Sequence, residues 1–389
     1  MKKPSASQRG RTASLTRRKV LKGGAAIAGL TVGLSSPIII SKAQQSTISW
    51  LTWPGHSDKS ILEPFEKDTG IKVKAKEYGN GDLGLVEMSQ NPGLYDVVTT
   101  SMEFMPQYVA AGIVEEMDPE DYKGWKEYLP EFHKDIGYNV GGKYHTIVYE
   151  FGFNALAYRT DKISAEDATS YAILGDPRVT KKLGSQDWWG NTLGALSIAA
   201  GYSPAKGRNP YLLTNEEFAS FGEFIKKLRP QFGGFYEIAG IFTAFANGTI
   251  WVYPGGGDWA AQLLKDQKLP VESSIPKEGG YLWGEAISIV SGTKNREAAR
   301  KFVDYCLSAE AQVRFATKPS YSAIIPNGRG WTLLQQTKPE WAKRLKMDTT
   351  ADPCAITPWR DGRIAVRLLP KDQTVEDWAN LWQEFKSAS

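Results

Sequence analysis

Residues 46–78 read STISWLTWPGHSDKSILEPFEKDTGIKVKAKEY. The first eight of these predict a strand. Residues 58–69 predict a helix whose apolar positions Ile61, Leu62 and Phe65 fall on one face, and 71–78 alternate as a second strand should. A β-α-β start of this kind is the opening of an α/β fold. The pattern continues with a helix over 82–91, a buried strand over 96–99 and a helix over 104–111 stopped by Gly112, the alternation expected of a largely parallel sheet.

Further along, the periodicity changes. Residues 145–158 are almost continuously apolar and aromatic, as a strand buried on both faces would be, and the helices that follow are longer and less regularly interleaved. This is where the chain is expected to cross from one lobe to another, since 389 residues with 41% hydrophobic and 12% aromatic content exceed one compact domain. Residues 216–228 predict an amphipathic helix capped by Thr214, with Phe218, Phe221, Phe224, Ile225 and Leu228 packed inward. A short strand over 249–253 is expected to break at Pro254-Gly255-Gly256-Gly257, with Asp258 opening the next helix. Loops at the carboxyl ends of strands are where open α/β sheets bind ligands. A strand over 286–290, a helix over 295–307 and a C-terminal helix over 375–389 carrying Trp378 and Trp382 complete the reading.

The formal charge of +4 is carried by the N-terminus, because residues 1–43 hold nine Lys or Arg and no acid. Without that segment 38 basic residues face 43 acidic ones, a net of −5. A mildly acidic body argues against nucleic acid as a partner and suits a cationic ligand. The segment itself, with Arg17-Arg18-Lys19, an apolar glycine-rich run from 23 to 40 and Ser41-Lys42-Ala43, is expected to be a signal peptide of the twin-arginine type spanning 1–43. The competing role, a membrane anchor, is opposed by the run's glycines and by Pro37. Export places the protein in the periplasm, where Cys306 and Cys354 could pair.

Several constellations compete for a functional role. Gly79-Asn80-Gly81-Asp82-Leu83-Gly84 fits the spacing of a dinucleotide-binding turn, with Asp96 or Glu103 as the accompanying acid, and would make the chain an NAD-dependent enzyme. It follows the second strand instead of the first, and an exported protein has little access to NAD. Trp188-Trp189 could stack on a sugar. The histidines His56, His133 and His145 are scattered and no C-x-x-C occurs, so neither a metal site nor a cofactor is expected.

Four stretches, ISWLTWPGHSDKSILEPFEKDTGIKVKAKEYGNGD (48–82), YDVVTTSMEFMPQYVAAGIVEEMD (95–118), IPKEGGYLWGEAISIVSGTKNREAARKFVDYCLSAEAQ (275–312) and SYSAIIPN (320–327), resemble in order and spacing the periplasmic spermidine/putrescine-binding proteins. The resemblance implies a two-lobed α/β periplasmic-binding-protein fold that is not an enzyme. The chain would cross near Gly152 and return near Trp283, giving lobe one as 44–152 plus 283–320 and lobe two as 153–282 plus 321–389. Ligand would lie in the interlobe cleft, and hinge closure would present the loaded receptor, acting as a monomer, to an ABC permease at the inner membrane.

Protonated amines need carboxylates and aromatic faces, and their methylenes need flat apolar walls. The resemblance places Trp53 beside the amine chain, and Trp283 and Glu285 on one side of an extended segment, with the ring for the chain and the carboxylate for the ammonium. It further assigns Tyr253 and Tyr321 as aromatic walls, and Ser101 and Glu103 to a loop lining the cleft. His56 stands where the family has a tyrosine. The family's second-lobe acidic pair falls on Trp188 and Asn191, with Asp187 one position off, so that end of the site has lost charge. An amine with a polar, uncharged or anionic second end therefore stands beside a classical diamine as the expected ligand.

Overall fold

The computed structural model describes residues 46–388. The signal-peptide expectation for 1–43 lies outside the described residues, among which no helix is long and apolar enough to cross a membrane. In chain order the elements that build the fold are β1 (Thr47–Thr52), α1 (Lys59–Thr69), β2 (Lys72–Glu77), α2 (Gly81–Gln90), β3 (Val97–Ser101), α3 (Met105–Ala110), β4 (Ile147–Arg159), β5 (Leu183–Gln186), α4 (Trp189–Ala199), α5 (Asn215–Leu228), β6 (Phe232–Tyr236), α6 (Ile238–Ala246), β7 (Val252–Gly257), α7 (Asp258–Asp266), β8 (Val271–Ser274), β9 (Gly280–Ile289), α8 (Arg296–Leu307), α9 (Ala309–Ala316), α10 (Gly328–Thr337), α11 (Pro339–Arg344), α12 (Thr357–Arg360), β10 (Ile364–Val366) and α13 (Val375–Ser387).

The strands run in the order β2-β1-β3-β9-β4-β7-β5-β6, with β10 on β9 and β8 on β4. The β2-β1-β3 group is parallel, as the β-α-β reading requires. At the other end β7, β5 and β6 are parallel. Joining them are β4 and β9, antiparallel to each other, with every residue of both buried. Their apolar runs are long because both faces are covered. These two strands link the two lobes, and Gly152 pairs directly with Trp283 in their register. At the outer edge, β2 alternates Lys72, Lys74 and Lys76 toward solvent, which discourages further strand pairing.

Local signals account for the helix ends. Asp58 caps α1 and Gly70 closes it in the left-handed conformation at φ 71°. Thr214 and Glu217 form a reciprocal capping box on α5. One departure concerns 254–257: the Pro-Gly-Gly-Gly stretch, expected to break the strand, is itself strand, because β7 bulges against β4 between Ala155 and Leu156 and keeps pairing through Gly257.

Apolar packing shares the C-terminal stretch between two cores. Ile324, Ile325, Trp331, Leu334, Leu345 and Ile356 pack in the core that contains Trp50, Phe65 and Phe302. By contrast Trp378, Leu381, Trp382 and Phe385 of α13 share a core with Leu183, Leu196 and Phe221. The physical reason is that α9 and α10 bury their apolar faces together before the chain returns along β10. Cys306 and Cys354 are both free and buried.

Candidate functional site

A cavity of about 640 Å³ lies where the two lobes face each other across β4 and β9, a size suited to a small organic solute. The register of β9 sets its floor. Glu285 pairs with Ser101 at the end of β3 on one side and with Glu150 of β4 on the other, while Trp283, two residues earlier on the same face, lies over Gly152. A Cβ at Gly152 would stand 2.7–2.8 Å from the Trp283 indole, so glycine is required for the ring to lie there.

Of the residues singled out in the sequence, Trp53, Ser101, Trp283, Glu285 and Tyr321 all line this cavity. Trp53 reaches it because β1 ends at Pro54-Gly55. Gly55 has φ +83°, and a Cβ there would run into Ser320, so this turn and the Ser320-Tyr321 segment can approach only through glycine. His56, Glu103 and Tyr253 are not on the wall. Tyr253 is fully buried and receives a hydrogen bond from Asn191 Nδ2 at 2.8 Å, which places it behind the surface.

His56 sits behind Glu285 and Tyr321 in a sealed polar cluster. Its Nδ1 lies 2.6 Å from the Tyr149 hydroxyl and 3.0 Å from that of Thr52, while Nε2 faces the Glu150 carboxylate, which can only accept, and this assigns the proton to Nε2. That nitrogen lies 2.7 Å from Glu150, 2.9 Å from the Tyr321 oxygen and 3.1 Å from Glu285. Lys318 closes the cluster with its ammonium 2.6 Å from Glu150 Oε2, both side chains having no exposure. Burial lowers the pKa of His56 despite Glu150, so the ring is neutral. Burial alone would raise Glu150, but Lys318 and His56 outweigh it and hold the carboxylate below its ordinary range.

Glu285 is the exception. Burial, followed by the charge of Glu150, pushes its carboxyl well above the usual range. Lys318 and Glu150 neutralise each other, so no cation is left for Glu285, and an arriving ammonium would supply it. His56, Glu150 and Glu285 bring ligand atoms within 4.8 Å of one another, as a metal would need, but Lys318 already provides the positive charge against Glu150.

The rest of the wall comes from residues at the starts of α7 and α4. Trp259, at the start of α7, donates from Nε1 to Asn154 Oδ1 at 2.8 Å and meets Tyr321 edge-on at 6.2 Å. Trp188 precedes α4 and donates from Nε1 to Asp82 Oδ2 at 2.8 Å, linking the lobes across the mouth. Asp187 also borders the cavity, but its carboxylate is taken by Lys386 at 2.6 Å and the Trp382 indole at 2.9 Å. Glu103 is buried against Arg367, Oε1 to Nε 2.7 Å, so it neutralises a neighbour instead of facing the cavity.

The glycine-rich stretch 79–84 has a packing explanation. A Cβ at Gly81 would meet Phe104 at 2.4 Å and one at Gly84 would meet Tyr78 at 2.8 Å, so these glycines let α2 lie close to the sheet, while Asn80 caps the helix. One missed group left a trace in sequence: Glu150 is the one acid in the apolar run of β4, and a lone buried carboxylate demands a buried cation, here Lys318, whose position no local pattern gives.

Comparison with known proteins follows the same lines. The spermidine/putrescine-binding periplasmic protein 1 of Haemophilus influenzae is 25% identical over 323 residues, covering 82% of each chain. The putrescine-binding periplasmic protein SpuD of Pseudomonas aeruginosa is 25% identical over 320 residues, 78% of this chain and 84% of the relative. The spermidine/putrescine ABC transporter substrate-binding protein PotD of Streptococcus pneumoniae shares the fold with a TM-score of 0.70 at 16% identity, covering 88% of this chain and 99% of that one. Residues 60–344 match the bacterial extracellular solute-binding protein family throughout, and with a cleft built on the crossing strands as such proteins require, this chain belongs to that family.

Proposed function

We propose that this protein is the periplasmic receptor of an ABC importer, that it captures a small cationic amine between its lobes, and that closure around the ligand is what the inner-membrane permease recognises. Arg17-Arg18 and the apolar run after them support export by the twin-arginine route. The relatives named for spermidine and putrescine support an amine as ligand.

The observation that carries the reading is the isolation of Glu285. It is a carboxyl on the cavity floor with its neighbouring charges already paired to each other, flanked by Trp53, Trp283 and Tyr321. An ammonium there gains a carboxylate and aromatic faces together, and its carbon chain gains flat indole walls. The hydroxyl of Tyr321 lies 2.9 Å from His56 Nε2 and 3.4 Å from Glu285 Oε1, which holds its ring at the edge of the site.

A thermal-shift screen of the purified protein against amines, amino acids and neutral sugars tests this. A ligand at a hundredfold excess over its Kd should stabilise the fold by about 2.7 kcal/mol. Stabilisation by amine-bearing solutes is expected. Stabilisation by neutral sugars alone would leave the receptor role and remove the amine.

A further inference from the structure

The cleft contains a second charged group that the amine reading does not use. Arg367 follows β10 and its backbone N–H is bound to Leu282 O at 3.1 Å, which hangs it from β9 three residues before Glu285. The residue is 4% exposed, borders the cavity, and holds its guanidinium 4.9 Å over the Trp188 ring. Nε is sealed from solvent and lies 2.7 Å from Glu103 Oε1, an ion pair without hydrogen-bond geometry. A guanidinium has five N–H donors in a fixed fork. Among the described residues its two terminal nitrogens donate to nothing, and the residue lines the cavity. A buried guanidinium with all four terminal N–H donors unmatched is suited to an oxygen acceptor brought by a ligand.

The anionic groups that a second ammonium would need are committed elsewhere. Asp187 is bound to Lys386 and Trp382, Glu103 to Arg367, and Asp82 to the Trp188 indole. Glu237 is the remaining acid on the wall, and it is exposed. A second ammonium approaching Arg367 would set donor against donor, with no acceptor there for its own N–H groups, and such a mismatch discriminates as effectively as an attraction.

We infer that Arg367 is a specificity-determining residue that receives a carboxylate of the ligand, so that the captured solute is a zwitterion with its ammonium at Glu285 and its carboxylate at Arg367. This rests on the amine reading of Glu285.

The test compares two matched series by calorimetric titration of the purified protein: linear α,ω-diamines and ω-amino acids, each with four to eight carbons. The ω-amino acids are expected to bind and the diamines of equal length to bind at least a hundredfold more weakly. Arg367→Gln should abolish that preference. Because it strands Glu103, the double variant Arg367→Gln with Glu103→Gln is measured beside it and should lose the preference equally. Diamines binding as tightly as the amino acids, or a preference unchanged in both variants, overturns the inference while leaving the amine at Glu285 intact. If neither series binds, and only amine-free acids or sugars do, the amine reading falls and takes this one with it.

Discussion

Lys318 and Glu150 are buried side by side with no exposure, and each depends on the other. Replacing Lys318 by Met removes the cation and leaves a buried carboxylate beside neutral His56, which should cost about 3–5 kcal/mol in urea unfolding. Adding Glu150→Gln to that variant removes the stranded charge and should restore most of the loss. The same cluster sets the pH response. Burial and the charge of Glu150 hold the Glu285 carboxyl above its ordinary range, and an arriving ammonium, which pairs with the ionised form, opposes that shift. Amine affinity should therefore rise with pH, by up to tenfold per unit, with a proton released on binding that titrations in buffers of different ionisation enthalpy would count. The stability of the empty protein moves oppositely for the two acids. Glu285 binds its proton more tightly folded than unfolded, so its contribution falls as pH rises above about 4.5. Glu150, held below 4.5, contributes above that pH and loses its contribution as pH falls through the acid range.

At the scale of elements, the register between β4 and β9 is what makes a site of separated residues. Glu285 meets Ser101 and Glu150, and Trp283 meets Gly152, only because β9 runs between β3 and β4. Gly152→Ala would set a Cβ 2.7 Å from the indole and push the ring into the cavity. Ligand affinity should drop about tenfold or more, with about 1–3 kcal/mol of stability lost to overpacking. Thr214→Ala gives a contrasting result. It removes one side of the α5 capping box, away from the cleft, and should cost about 1 kcal/mol with ligand affinity unchanged in the same titration. Both elements were readable in sequence, the helix from its capping residues and apolar stripe and β4 from its unbroken apolar run. The extension of β7 through Pro254-Gly255-Gly256-Gly257 was not, because it depends on a bulge formed with a partner strand about 100 residues away.

For the whole molecule, the same division between local and distant information holds. The alternation of strands and helices over 46–112 was visible in the local pattern, whereas Trp53, Ser101 and Glu285 were placed by the family resemblance, the first two at strand ends and Glu285 within β9. His56, Glu103 and Tyr253 are adjacent to residues on the wall yet lie behind it, since sequence places a residue near a site without giving the direction of its side chain. Lys318, Arg367 and Trp259 carry no local signal and come together only through the return of the chain along β9 and β10. What unites these groups is one claim: the lobes enclose a carboxyl, Glu285, left without a cation of its own. The most direct test is calorimetric titration of the tightest-binding amine into the wild-type protein and into Glu285→Gln at pH 7. The account predicts a loss of at least a hundredfold in affinity, with the melting temperature of the ligand-free variant equal to or above that of the wild type because a raised carboxyl is replaced by a neutral amide. Equal affinity in the two proteins would contradict it.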